Sequence, residues 1–81
     1  MTDKPKAPAI PITPVDSSSN VAGWGYDPTI ATLAVQFKSG ATYNYFAVPQ
    51  VVVDELREAK SVGGFIGKRI VMGGFANSKV E

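Results

Sequence analysis

The side chains of this chain that could do chemistry are aromatic, basic and hydroxyl-bearing. Trp24, Tyr26, Tyr43 and Tyr45 offer ring faces, while Lys38, Lys60, Lys68 and Arg69 offer positive charge. Rings interleaved with cations are the pattern that holds single strands of nucleic acid, where each stacked base contributes about 1–3 kcal/mol. The plainer use of the same rings is to fill the core of a small domain. Ser17, Ser18 and Ser19 follow Asp16, and Ser18 is a candidate for positioning a ligand. A Ser-Lys nucleophile with Lys60 or Lys68 needs a third orienting group, and none is apparent. Serine clusters also cap and turn chain. Asp54 and Glu58, at i and i+4, suit a solvated helix face better than an acid/base pair, and their like charges repel slightly.

The glycine-rich run Gly63-Gly64-Phe65-Ile66-Gly67-Lys68-Arg69 invites an anion, because backbone amides at a helix start and two adjacent cations both attract negative charge. It is not a Walker A loop. Val62 stands where the first glycine belongs and Arg69 replaces the required Ser or Thr. Gly64-x-x-Gly67 imitates the backbone clamp of KH domains, but Phe65 and Ile66 are poor residues for that loop. The alternative is a helix corner in which Phe65, Ile66 and Ile70 complete the core while Lys68 and Arg69 are solvated. Gly64, Lys68 and Arg69 are the candidate contacts of this segment.

Composition narrows the functions further. The chain has 81 residues, no His and no Cys, and 8 Lys+Arg against 7 Asp+Glu for a net charge of +1. One small domain is expected, without imidazole acid/base catalysis, a thiol nucleophile or a zinc cage of the usual ligands. The charge lacks the strongly basic footprint of a high-affinity nucleic-acid binder but allows a local basic patch. No apolar run approaches the length of a membrane span, and the first residues lack the apolar core of a secretory signal. The expected location is the cytoplasm, or the host cytoplasm if the chain is phage-encoded.

Several elements must position these groups. Pro5, Pro8, Pro11 and Pro14 recur every third residue, along one edge of a polyproline II helix, so residues 1–14 read as an extended arm. The arm is either mobile, a ligand for an aromatic groove of a protein partner, or pinned to its own domain by Ile10 and Ile12. Asn20 to Tyr26 alternates as a first strand, with Ala22, Trp24 and Tyr26 on one face and Val21, Gly23 and Gly25 on the other. Asp27-Pro28 signals a turn. Thr32 to Phe37 is a second strand and Thr42 to Phe46 a third.

Hairpin register decides the tyrosines' face, since strand side chains alternate with period two. A two-residue loop at Ser39-Gly40 throws Tyr43 and Tyr45 opposite Leu33, Val35 and Phe37. A three-residue loop, Lys38-Ser39-Gly40, with Gly40 left-handed, pairs Val35 with Tyr43 and Leu33 with Tyr45. The second register makes both faces chemically uniform and is the one expected. A helix beginning at Pro49 covers the sheet with Val52, Leu56 and Ala59, carries Lys60 in its last turn and ends at Gly63-Gly64. A second short helix spans about Phe65 to Met72, and Ala76 to Glu81 reads as a frayed end.

The run V-D-S-S from Val15, G-Y-D at Gly25–Asp27, L-x-V-x-F-x-x-G-x-x-Y-x-Y from Leu33 to Tyr45, V-P at Val48-Pro49, and L-x-x-A-x-S-x-G-x-F from Leu56 to Phe65 with Ile70 together resemble the KTSC domain family. The likeness spans about Val15 to Ile70 and is carried by the order of the elements. KTSC domains are short modules found at the C-terminus of some lysyl-tRNA synthetases and as stand-alone bacterial and phage proteins. The resemblance implies an RNA-binding role without enzyme activity. Three positions depart from the pattern: an extra serine within Ser17–Ser19, Gly67 where a polar residue is common, and Val71 where a basic residue often follows the Ile. The last two remove polar and basic groups from the segment nominated for phosphate contact.

The sequence thus predicts an α+β domain at residues 15–75. A three-stranded antiparallel β-meander is covered by one or two helices, between the Pro-rich arm and a tail at 76–81. The function expected is non-catalytic binding of single-stranded RNA or a nucleotide-like anion, without a cofactor or metal. Its candidate residues are Trp24, Tyr26, Tyr43 and Tyr45 of the strands, Ser18, and Ser61, Gly64, Lys68 and Arg69 beyond the first helix. The alternatives are a protein-interaction module acting through the arm and the glycine-rich segment, such as a phage effector of a host protein, and a homo-oligomer enclosing a small nucleotide.

Overall fold

The computed structural model describes residues 10–15 and 20–80. In chain order they form β1 (Thr13–Pro14), β2 (Val21–Asp27), β3 (Thr32–Phe37), β4 (Thr42–Tyr45), α1 (Gln50–Arg57), α2 (Val62–Phe65) and β5 (Asn77–Val80). Helix α2 runs on as a π-helical turn over Ile66–Val71. All five strands join one antiparallel sheet in the order β1-β2-β3-β4-β5. The three-stranded meander read from the sequence is therefore the centre of a larger sheet. Proline 5, proline 8 and the Ser17–Ser19 cluster, with candidate Ser18, lie outside the described residues.

The frayed end expected at 76–81 is overturned over most of its length. Asn77–Val80 pairs with β4, and the Phe46 amide donates to the Ala76 carbonyl at 2.8 Å just beyond the ladder. Asn-Ser-Lys-Val has little apolar alternation, because this edge strand is nearly all exposed and is held by backbone hydrogen bonds.

The β3–β4 hairpin takes the expected register. Leu33 pairs with Tyr45, Ala34 with Asn44, Val35 with Tyr43 and Gln36 with Thr42. Gly40 closes the loop at φ 101°, a conformation that costs glycine little and a side chain much more. Leu33 and Val35 face the helices with no exposure and join Tyr45, Val48, Val52, Val53, Leu56, Ile66 and Ile70 in one core. The faces read for β2 need one correction. The pairing slips between Val21 and Gly23, a bulge at Ala22 that turns Val21 into the core beside Trp24 and Tyr26. One extra residue shifts the alternation by one, and strict period-two counting misses it.

Gly23 and Gly25 make the outer face of β2 flat, and the end of the arm lies on it. A Cβ on Gly25 would stand 1.8 Å from the Pro11 carbonyl oxygen, and one on Gly23 would stand 2.6 Å from that of Thr13. The Val15 amide donates to the Ala22 carbonyl at 2.8 Å. Of the readings open for the arm, its last residues are pinned to their own domain.

Asp27-Pro28 turns as expected, with the Thr29 amide and hydroxyl both donating to Asp27 Oδ1 at 3.0 and 2.6 Å. Two corners adopt left-handed backbone without glycine, Ala31 at φ 51° and Ala47 at φ 57°. The Val48 amide ties them together by donating to the Ala31 carbonyl at 2.9 Å.

Pro49 is the N-cap of α1 and not its first helical residue. Its missing N–H is harmless there as well. The helix buries Val52, Val53 and Leu56 and ends at Glu58 with Arg57, not Lys60, in the last turn. Gly63 and Gly64 do not terminate it; they lie inside α2, which Ser61 caps by accepting from the Gly64 amide at 3.1 Å. The second helix thus starts before Phe65 and then widens. The Met72 amide reaches back five residues to the Gly67 carbonyl at 3.1 Å, the bond of a π-helix. Among the described residues, no helix is long and apolar enough to cross a membrane.

Candidate functional site

β4 carries the two tyrosines to the junction between the sheet and the π-helical turn. Its neighbours fix their surroundings: Val35 and Lys79 lie opposite Tyr43, and Leu33 and Asn77 lie opposite Tyr45. Paired residues of an antiparallel ladder share a face, so Asn77 and Lys79 stand on the tyrosine side of the sheet. The π-helical turn approaches from above. Between them is an open cleft of about 550 Å³ lined by Phe37, Tyr43, Tyr45, Gly67, Val71 and Met72, with Asn20 and Asn77 on its wall.

The rings form a continuous surface. Phe37 meets Tyr43 edge to face at 6.2 Å between centroids, and Tyr43 meets Tyr45 at 6.4 Å with the planes tilted by 36°. Edge-to-face and offset geometries are the favoured ones for aromatic pairs. Tyr45 is only 5% exposed and belongs to the core, whereas Tyr43 is half-buried and presents its ring to the opening. Burial pushes the Tyr45 phenol above its ordinary value of 10.0, and the neighbouring Tyr43 adds to the shift. Its phenol stays protonated and, with Asn20 and Asn77, gives polar groups to a mostly apolar cleft.

The basic candidates gather on the other side of the same helical turn. Ser61, Gly64, Lys68 and Arg69 line a shallower depression of about 380 Å³ with Ala59 and Phe65. Its charge is partly spoken for. Arg69 donates to Glu55 Oε1 at 2.8 Å, with both side chains about half exposed, and its guanidinium lies over the Phe65 ring at 5.2 Å. Lys68 is exposed beside it. The Ser61 hydroxyl caps the helix by accepting from the Gly64 amide, and a Cβ on Gly64 would stand 3.0 Å from that hydroxyl oxygen, so both residues have a structural use.

Trp24 and Tyr26 belong to neither depression. Trp24 lies under the Arg57 guanidinium at 5.7 Å, and the Tyr26 hydroxyl donates to the Val48 carbonyl at 2.7 Å. Both pack against the core. The nominated residues thus lie in three places: Tyr43 and Tyr45 in the cleft, the Ser61–Arg69 group behind it, and Trp24 with Tyr26 packed against the core. Sequence reasoning did not nominate Phe37, Asn77, Met72 and Lys79. Phe37 shares the Leu33–Val35 face, which was a usable signal; Asn77 and Lys79 become visible only once β5 is known. Among the described residues, no group of three or more His, Cys, Asp or Glu side chains could hold a metal.

Comparison with known proteins gives a consistent picture. Over 53 residues the chain is 49% identical to a protein of Tsukamurella paurometabola, covering 65% of this chain and 78% of the relative. It is 42% identical over 52 residues to a lysine–tRNA ligase of Nostoc sp., covering 64% of this chain but 9% of the ligase. The crystal structure of a KTSC domain protein from Yersinia pestis superposes with a TM-score of 0.77 at 35% identity, covering 90% of this chain and all of that one. The KTSC domain profile matches residues 17–75. Most of the described sheet and both helices fall within that match, and the chain belongs to the KTSC domain family.

Proposed function

We propose that this chain is a non-catalytic binding module that takes an unpaired base of single-stranded RNA into the cleft between β4 and the π-helical turn. The observation that carries the reading is the placement of Tyr43. Its half-buried ring stands between Phe37 and Tyr45, at the mouth of a cleft whose lining is mostly apolar, with Lys79 beside it on the same face. An aromatic wall gives stacking, and a flanking ammonium gives a phosphate contact. Lys68 is exposed on the far side of the same turn, in the second depression, and supplies a second cation to a phosphate further along the strand. Segments similar to this chain in proteins named lysine–tRNA ligase support an RNA setting.

A protein partner is the second reading, favoured by Val71 and Met72. These apolar side chains are 50% and 79% exposed at the rim of the cleft. The two readings separate by salt. RNA held by two cations should lose affinity with a slope of about −1.4 in log K against log salt. A protein bound through the apolar rim tolerates salt.

The test is fluorescence anisotropy of labelled single-stranded RNA titrated with the protein at low and physiological salt. Trp24 is a poor reporter, since it lines neither depression. Tyr43→Ala should weaken binding about 5- to 150-fold, the value of one stacked base. Lys79→Gln should flatten the salt slope by about 0.7. Binding that is indifferent to Tyr43 would remove the cleft from consideration.

A further inference from the structure

Gly67 has no structural reason to be glycine. Its helix is right-handed, and Gly67 is not among the glycines with positive φ. A Cβ built on it meets no atom within 4 Å, in contrast to Gly73, where the Cβ would stand 2.1 Å from the Arg69 carbonyl oxygen. Alanine is the better residue inside a helix, because glycine gives up more backbone entropy on folding. Position 67 therefore forgoes stability while room for a side chain is available. The room in question is the cleft, since Gly67 is part of its lining.

A second observation points to the same place. Gly67 is where the helix widens, its carbonyl accepting from the Met72 amide five residues on. π-helical turns are rare and concentrate at functional sites. The wider turn ends by setting Val71 and Met72 on the rim of the cleft, opposite the rings of Phe37 and Tyr43.

We infer that Gly67 is a positioning residue of the cleft, keeping its helical wall bare so that a planar base can lie between that wall and the Tyr43 ring. The inference rests on the RNA-binding reading above and adds the residue that makes room for the base. A methyl group at position 67 narrows the slot from the helical side, and because all bases share the thickness of one planar ring, purines and pyrimidines lose alike.

The experiment compares the unmodified chain, Gly67→Ala, Gly67→Leu and Tyr43→Ala, each measured for Tm and for affinity to short oligo(A) and oligo(U). The expected result for Gly67→Ala is a Tm raised by about 4 °C. Its affinity for oligo(A) and for oligo(U) should each fall about 5-fold or more, and Gly67→Leu should deepen the loss for both. A Gly67→Ala protein that binds oligo(A) as the unmodified chain does, while Tyr43→Ala has lost binding, overturns the role of Gly67 and leaves the RNA reading intact. A lowered Tm in Gly67→Ala also overturns it, because the glycine would then be structural. If the unmodified chain binds neither oligonucleotide, both readings fall together.

Discussion

At the scale of single residues, Tyr45 shows how a side chain nominated as a ligand contact can be a core residue with a polar tip. Burial and the neighbouring Tyr43 keep its phenol protonated beyond the ordinary range. A group whose folded pKa is raised leaves stability unchanged below its unfolded value, here 10.0, and draws stability down as pH rises past it. Urea midpoints measured from about pH 8 to pH 11 should therefore be level at first and then fall. In Tyr45→Phe the fall should be shallower, since that residue can no longer ionise in the unfolded chain. An equal fall in both proteins would show that the Tyr45 hydroxyl is freely solvated. Tyr43 is the more exposed of the two, and that difference leaves one ring of the pair available to a ligand.

At the scale of elements, the glycines of β2 do the positioning that larger side chains do elsewhere. Gly25→Ala puts a methyl group against the Pro11 carbonyl, and the arm must leave the sheet or β2 must shift. The expected outcome is a lowered Tm together with faster amide exchange at Val15, whose N–H bonds to Ala22 in the docked arm. Unchanged exchange would mean that the arm adapts without leaving. The same elements show what was legible beforehand. The β3–β4 register could be read because Gly40 and two uniform faces agree on one answer. The identity of α1 could be read from Val52 and Leu56, but its end could not, since Gly63-Gly64 looks like a stop while Ser61 turns those glycines into the start of α2. The site was half legible. The pairing of Tyr43 with Val35 placed the tyrosines, whereas the cleft depends on a π-helical turn that no periodicity encodes.

On the scale of the whole molecule, the sheet is closed on the cleft side by a strand with almost no burial of its own. Removing residues 77–81 would leave β4 as an edge and take Asn77 and Lys79 from beside the tyrosines. We expect a lower Tm, loss of RNA binding and concentration-dependent association through the bared edge, measured by thermal scanning and size-exclusion chromatography. A truncated chain that binds RNA at full strength would rule out any part for Lys79. The two left-handed alanines bear on how much change this small fold can absorb. Each holds a conformation that disfavours a Cβ, so Ala31→Gly and Ala47→Gly should each add about 0.5–1 kcal/mol of stability after allowing for the greater freedom of glycine in the unfolded chain. These corners amount to an unused reserve of mutational tolerance, and a chain carrying both changes would be the host in which damaging substitutions around the cleft could be compared while still folded.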